Sequence, residues 1–375
     1  MKILFIFNHA APYKVKLLNE LSSHHQFDVI FERIHNSDRP KEFYSDDKFN
    51  FNLIKINGVS LGNENFVSNG IKSYIKKHHK EYDLIIFNGY STIAEMNALN
   101  YVIKHKIPYV LYINGGIIKN SGKLKESLKT KYISNASYYF SPCEEADDFL
   151  KHYGAKNKIF HYPYSTVFVN ELHEPLLKDE KEKLRKEYNI TSSNRVFVYS
   201  GQFINRKNNM QLLEIWRQVS KQYALYLIGC GKEQKVMERF ILEHHLKNVH
   251  ILPFMKKENL LNFFRACDVF ITLSKEDIYG HMINEALSQS LPVISSNRVI
   301  SAKHLIKNGY NGFLVDINDE NAIKKALTMT IHDEMKKNCY NTAESNTIET
   351  MTLAHIDALK EIENENILSN NILDK

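Results

Sequence analysis

Apolar positions along this chain fall into short, nearly continuous runs, separated by longer stretches in which they recur every three or four residues. In the first half the runs are "KILFIF", "FDVIFE", "DLIIFN", "YVLYIN", "YYFSP" and "KIFHYP"; in the second they are "RVFVYSG", "ALYLIGC", "VHILPF", "DVFITLS", "LPVISS" and "GFLV". Buried strands alternating with amphipathic helices predict parallel sheets joined by crossover helices, an α/β fold. At 375 residues the chain exceeds one core, so the rhythm divides into two open, doubly wound domains. The first is read as residues 1–170 and the second as 195–360. Between them "VNELHEPLLKDEKEKLRKEYNITSSN" is charged and lacks strand character, which predicts a linker with one exposed helix over 171–194. Residues 361–375 read as a polar tail that frays. Two such domains facing each other leave a cleft at the carboxyl ends of their strands, so residues just after strands matter most.

Charge sharpens this picture. Residues 1–170 hold 22 Lys+Arg against 16 Asp+Glu, and the remainder holds 27 against 27, so the whole net charge of +6 lies in the first half. Much of it sits in "IKSYIKKHHKEY" and "KNSGKLKESLKTKY", where apolar residues recur at helical spacing. Such runs serve as solvated helix faces, or else meet an anionic membrane or a phosphate-bearing ligand; no nucleic-acid motif accompanies them. Cys143, Cys230, Cys267 and Cys339 are scattered without a C-x-x-C pair, which fits a reducing compartment, the cytoplasm, rather than a zinc cage or disulfide framework. The opening "MKILFIFNHAAPY" reads as a buried strand rather than an export signal. No stretch approaches the roughly 20 apolar residues of a membrane span, so membrane contact would be peripheral.

Three places after strands carry candidate chemistry. In "VYSGQFINRKNNMQLLEIW", Gly201 lets the chain turn, and Arg206 with Lys207 precede a helix expected from Asn208 or Asn209. Two cations beside a helix start suit a phosphate, or form a plain surface loop. In "LYLIGCGKEQ", Gly229 and Gly231 end a strand, but Gln234 holds the third glycine position of G-x-G-x-x-G, so a tight turn is favoured over a dinucleotide cofactor site. In "KEDIYGHMINEALSQS", Asp277 lies in a loop and Glu285 lies in a helix expected from Gly280 or His281, roughly 7 Å along its axis at 1.5 Å per residue. Backbone amides at the helix end would lie between the two acids, the layout of a nucleotide sugar with hydroxyls at both ends and phosphate in the middle. Taken singly, Asp277 as a helix cap and Glu285 as a solvated helix residue explain the stretch as well.

Read together, "SGQFINRKN", "LYLIGCGKE", "VHILPFMKKENLLNFFRACDVFITLS", "DIYGHMINEALSQSLPVISS" and "LIKNGYNGFLV" resemble the donor domain of retaining GT-B glycosyltransferases of family 4, in order and spacing. "NHAAPYKVKLLNEL" and "GAKNKIFHYPYS" extend a thinner resemblance over the first half. The resemblance implies two Rossmann-like domains, the first binding an acceptor and the second a nucleotide-diphosphate sugar, with UDP the expected carrier. It implies that Asp277 and Glu285 form the family's acidic pair, on the donor sugar and the ribose respectively. Lys207 matches the phosphate-binding lysine with Arg206 beside it, and Gly201, Gln202, Gly229, Tyr279, Gly280 and His281 complete the donor site. Three positions depart from the pattern: Asp277 is one methylene short, Gln202 replaces a common arginine, and Asn114 stands where many members carry a histidine near the reacting carbon.

The implied reaction transfers a hexose-type sugar with retention to a hydroxyl of a glycan or polyprenyl-diphosphate-linked acceptor, as in bacterial surface polysaccharide synthesis. Asp277, Lys207, Arg206 and Asn114 are its candidate catalytic residues. No cofactor is expected, the nucleotide sugar being a substrate, and no metal, because the chain contains no D-x-D. His9, Pro12, Tyr13 and Lys14, after the first strand, are the acceptor-side candidates, with Pro12 in the first turn of a helix. A nucleotide-sugar epimerase of the same fold and a non-catalytic sugar-binding protein are the rival readings; the broken glycine fingerprint disfavours an NAD-dependent dehydrogenase.

Overall fold

The computed structural model describes residues 1–35, 44, 48–62, 65–119, 121–190 and 195–373. The chain forms two compact units, Met1–Tyr164 with Ile348–Lys375, and Ser165–Thr347. All twelve strand runs read from the sequence are strands, and each unit is built on a parallel sheet.

In unit 1 the strands are β1 (Lys2–His9), β2 (Gln26–Arg33), β3 (Asn52–Ile54), β4 (Val59–Gly62), β5 (Asn65–Val67), β6 (Leu84–Phe87), β7 (Val110–Tyr112), β8 (Tyr138–Ser141) and β9 (Ile159–His161). The helices are α1 (Pro12–Leu21), α2 (Gly70–His78), α3 (Ile93–Lys104), α4 (Lys123–Ser134) and α5 (Glu144–His152). Seven strands run parallel in the order β3-β2-β1-β6-β7-β8-β9. β3 and the β4–β5 hairpin escaped the sequence reading, since they are three or four residues long and mostly exposed or half-buried. The strand order reverses between β1 and β6, and there His9, the last residue of β1, and Asn88, just past β6, emerge at the same edge.

Unit 2 contains α6 (Lys178–Glu187), β10 (Arg195–Ser200), α7 (Asn209–Trp216), β11 (Tyr223–Ile228), α8 (Gln234–Glu243), β12 (Val249–Leu252), α9 (Lys257–Ala266), β13 (Val269–Thr272), α10 (Met282–Leu287), β14 (Val293–Ser296), α11 (Ile300–Leu305), β15 (Gly312–Val315), α12 (Glu320–Thr328) and α13 (Asp333–Glu344). Its six strands run in the order β12-β11-β10-β13-β14-β15, reversing between β10 and β13. The period of two along β10 divides its core. Val196 and Val198 face one way, with Phe264, Ile283 and Leu287, whereas Phe197 and Tyr199 face Leu212, Trp216 and Met237 on the other side. Burial on both faces explains why these strands read as unbroken apolar runs.

The boundaries differ from the sequence reading in three ways. Residues 165–170 belong with unit 2 rather than the first domain. The expected linker is anchored: on α6, Lys181 and Arg185 each contact a carboxylate oxygen of Asp268 at 2.6 Å, and Arg185 Nε donates to the Ala266 carbonyl at 2.9 Å. Residues 191–194 of that linker lie outside the described residues. Finally, α14 (Ile348–Leu373) returns to unit 1, so the second domain ends at Thr347 instead of 360, and the presumed fraying tail is helical through Leu373. Its buried His355 stacks against Tyr112 and Phe140, and the Met1 ammonium meets Glu363 at 2.7 Å. Among the described residues no helix is long and apolar enough to cross a membrane.

Unit 1 also buries two acids at the carboxyl edge of its sheet. Glu32, near the end of β2, is 4% exposed, and Glu95, in the first turn of α3, is fully buried. Thr92 caps α3 and donates its hydroxyl to Glu32 at 2.5 Å, while the Ser91 and Thr92 amides donate to Glu95. Burial, then the neighbouring Glu95, pushes the Glu32 carboxyl up to about 9. The folded chain therefore keeps a proton that the unfolded chain releases near the ordinary glutamate value. Stability then falls as pH rises from about 4.5 to about 9. Glu32→Gln should melt higher than the parent at pH 8, with the gap closing toward about pH 4.5; parallel melting curves across that range would remove the proton from Glu32.

Candidate nucleotide-sugar site

The reversal between β10 and β13 brings together the loops that follow those strands. After β10 the chain passes through Gly201 and Gln202 to a single helical turn, Asn205–Lys207. Asn208 then adopts a left-handed conformation (φ 60°) and α7 begins at Asn209, as the sequence indicated. After β13 the chain runs through Lys275 to Gly280. A hydrogen bond from the Lys275 amide to the Arg206 carbonyl, 2.8 Å, ties the two loops together.

Arg206, Lys207 and Asp277 converge on this seam. The Lys207 side chain is only 4% exposed, and its ammonium donates to Asp277 Oδ2; Arg206 Nη1 lies 3.6 Å from Asp277 Oδ1. Burial pushes the Asp277 carboxyl up, but Lys207 and Arg206 outweigh it and hold it below the usual aspartate value. The acid's backbone is fixed independently: its amide donates to the Arg298 carbonyl at 3.2 Å, and it forms an isolated parallel bridge with Val299. Gly280 (φ 98°) presses on the same neighbour, where a Cβ would stand 2.7 Å from Val299 Cγ1.

Glu285 lies on the fourth residue of α10, which begins at Met282 rather than at Gly280 or His281 and is only six residues long. Half-buried, it accepts from the Thr166 hydroxyl at 2.9 Å. Burial, eased by Lys257 and Thr166, raises its carboxyl above the usual glutamate value. Lys257, at the start of α9, donates to the Thr166 carbonyl at 2.6 Å and pairs with Glu171. Thr166, Lys257 and Glu171 were not foreseen; no motif marks them, because their relation to Glu285 arises only when the chain folds back.

The other expected donor residues divide by exposure. Gly201 and Gln202 lie at the opening of the β10 loop, and His281 is half-buried beside the Tyr279 ring. Tyr279 is 3% exposed, as buried as Lys207. Gly229 sits at φ 147° with its Cα against the β10 loop, where a Cβ would fall 2.0 Å from the Gly201 carbonyl oxygen. This close approach accounts for the glycines of "GCG" without any dinucleotide.

In unit 1, Pro12 occupies the first position of α1 as expected. Lys14, expected to face a cleft, is instead buried; its ammonium donates to Asn8 at 3.0 Å and lies 5.0 Å from the Phe7 ring centre. Tyr13 packs edge-on against Tyr164, and His9 Nδ1 lies 3.3 Å from the Tyr44 hydroxyl. Asn114, just past β7, accepts from Asn88 at 3.1 Å, forming a side-chain pair at the carboxyl edge of this sheet.

Known proteins share this architecture. Sucrose-phosphate synthase from Thermosynechococcus elongatus superposes with a TM-score of 0.76 at 16% identity, over 97% of this chain and 100% of that one. Anabaena HepE in complex with UDP-glucose gives 0.72 at 16% identity, over 96% and 100%. The fold is that of the GT-B glycosyltransferases. Residues 180–346 of this GT-B chain match the family described as Glycosyl transferases group 1. An uncharacterized glycosyltransferase of Methanocaldococcus jannaschii is 25% identical over 244 residues, 62% of either chain. The UDP-Gal:alpha-D-GlcNAc-diphosphoundecaprenol alpha-1,3-galactosyltransferase of Escherichia coli is 27% identical over 173 residues, 44% of this chain and 43% of that protein. Both matches cover less than two thirds of the relative's length.

Gly229→Ala tests the interlocked loops. It should cost about 2–4 kcal/mol of stability, from a strained φ and a backbone clash, read from the urea midpoint; an unchanged midpoint would mean the β10 loop yields freely.

Proposed function

We propose that the protein is a retaining glycosyltransferase of family 4, moving a hexose-type sugar from a UDP-sugar to a hydroxyl of a glycan or polyprenyl-diphosphate-linked acceptor in bacterial surface polysaccharide synthesis. The observation that carries this reading is the convergence of Arg206, Lys207 and Asp277 where β10 and β13 diverge. The UDP-glucose named for the HepE complex and the UDP-galactose and lipid-diphosphate named for the Escherichia coli relative support the ligand classes.

In this mechanism the bond from the anomeric carbon to the phosphate oxygen breaks and its electron pair stays on the leaving diphosphate. Lys207 and Arg206 offset that developing charge, a preorganised electrostatic contribution. The acceptor hydroxyl oxygen bonds to the anomeric carbon from the same face and passes its proton to the departing phosphate. The carboxylate oxygen of Glu285 not engaged by Thr166 accepts from the ribose hydroxyls. These cations carry out the charge stabilisation without a metal. Asn114 and its partner Asn88 offer amide groups on the acceptor side, where a neutral amide can orient a hydroxyl but cannot take its proton.

The basic helices of unit 1 give the acceptor reading a membrane aspect. On α4, Lys123, Lys125 and Lys131 are exposed and Leu124 is 76% exposed, a combination suited to an anionic lipid surface.

Thermal-shift and hydrolysis measurements against UDP-, GDP- and ADP-sugars without added metal should single out a UDP-sugar. Glu285→Ala should weaken its binding about ten- to a hundredfold, the worth of one or two hydrogen bonds to a charged group. A folded protein indifferent to every nucleotide sugar would end the transferase reading. Sedimentation with acidic vesicles at physiological salt should bring the protein down, and the Lys123→Ala, Lys125→Ala double variant should reduce partitioning on the order of tenfold or more. No pelleting would count against peripheral attachment.

A further inference from the structure

We infer that Asp277 is the resident counter-ion of the diphosphate site, holding Lys207 until the donor arrives, and that donor binding exchanges this carboxylate for phosphate. The inference rests on the nucleotide-sugar reading above and changes the role of one residue within it: the resemblance would put Asp277 on sugar hydroxyls, whereas the geometry puts both of its oxygens toward cations.

Three observations carry it. First, the Lys207 side chain is 4% exposed, and a buried ammonium without a counter-charge is costly; Asp277, 12% exposed, supplies that charge. Second, Arg206 approaches the other carboxylate oxygen at 3.6 Å, and its Nη1 also donates to the Glu276 carbonyl at 3.4 Å, so both of the site's cations are already engaged on the Asp277 loop. Third, the backbone that carries the acid is fixed on the side away from the lysine's own loop. Asp277 is pinned through Arg298 and Val299, and Gly280 behind it is wedged against Val299 and Ser301. Lys207 reaches the acid through a four-carbon stem that can turn to a new partner.

The consequence for catalysis is one of balance. With Asp277 in place the two cations carry one net positive charge, so the bound diphosphate is attracted less than two bare cations would attract it. As the sugar–phosphate bond breaks, negative charge grows on the leaving group and Lys207 shifts further toward it. The interaction is thus stronger in the transition state than in the bound ground state, the condition for raising kcat rather than merely tightening binding.

Calorimetric titration with UDP and with inorganic pyrophosphate tests the exchange. Asp277→Asn should bind both about tenfold more tightly than the parent, with a steeper loss of affinity as salt rises, while turnover of the UDP-sugar falls. In a Lys207→Met background, adding Asp277→Asn should change UDP affinity at least fivefold less than it does in the parent, because the competition has been removed. If Asp277→Asn alone fails to fold but Lys207→Met, Asp277→Asn folds, the buried lysine's need for this counter-ion is shown directly. Unchanged or weaker UDP and pyrophosphate binding by a folded Asp277→Asn overturns the counter-ion role and leaves the donor site standing. A parent protein that binds neither probe overturns the donor site and the counter-ion role together.

Discussion

A parallel sheet buried on both faces leaves the chain few places to meet water except at the ends of its strands. Both units of this protein obey that constraint, and everything chemical in them is found where it permits. In unit 2 the strand order turns back between β10 and β13, so the loops that follow these two neighbouring strands lie against each other. Arg206 and Lys207 come from one loop and Asp277 from the other, although seventy residues of chain separate Lys207 from Asp277. In unit 1 the same reversal, between β1 and β6, sets out His9, Asn88 and the buried acids Glu32 and Glu95.

The electrostatics follow from how deep each group lies. Arg206 is partly in solvent and can be satisfied by water, whereas Lys207 lies where only another charged group can compensate it. The same logic appears on the opposite edge of the sheet, where Asp268 precedes β13 and receives Lys181 and Arg185 from α6. That pairing serves attachment: it fastens the segment before β10 to its own unit, with Lys181 on one oxygen of Asp268 and Arg185 on the other. Clusters of the same residue types, one Asp with a Lys and an Arg, thus stand at opposite edges of one sheet.

Much of this was readable in the sequence. The strand runs were visible because burial on both faces removes polar interruptions, and the candidate loop motifs were visible because glycines and charges follow those runs directly. The helix at Asn209 and the proline opening α1 were equally plain. What escaped depends on contacts between distant positions. Nothing near Thr166 announces that its hydroxyl will meet Glu285, and nothing near Lys207 announces that Asp277 will occupy it. The buried state of Lys14 was hidden for another reason: a lysine at the start of an amphipathic helix ordinarily reaches water, and only the fold shows Asn8 and Phe7 receiving it. The tail misled because its last residues are polar, while the apolar spacing of Ile348, Met351, Ile356, Leu359 and Ile362 that holds α14 in place lies upstream of it and at its very start.

That last helix has a consequence for how the molecule is made. Unit 1 contains both ends of the chain, and the aromatic surface of Tyr112, Phe140 and Tyr162 is closed by His355. On the ribosome the first 164 residues emerge early but lack their cover, while residues 165–347 can complete a core as soon as they appear. Residues 1–164 are thus completed only by a helix that follows the whole of unit 2. Without α14 the rings of Tyr112, Phe140 and Tyr162 lose the imidazole that covers them, while residues 165–347 keep their own core.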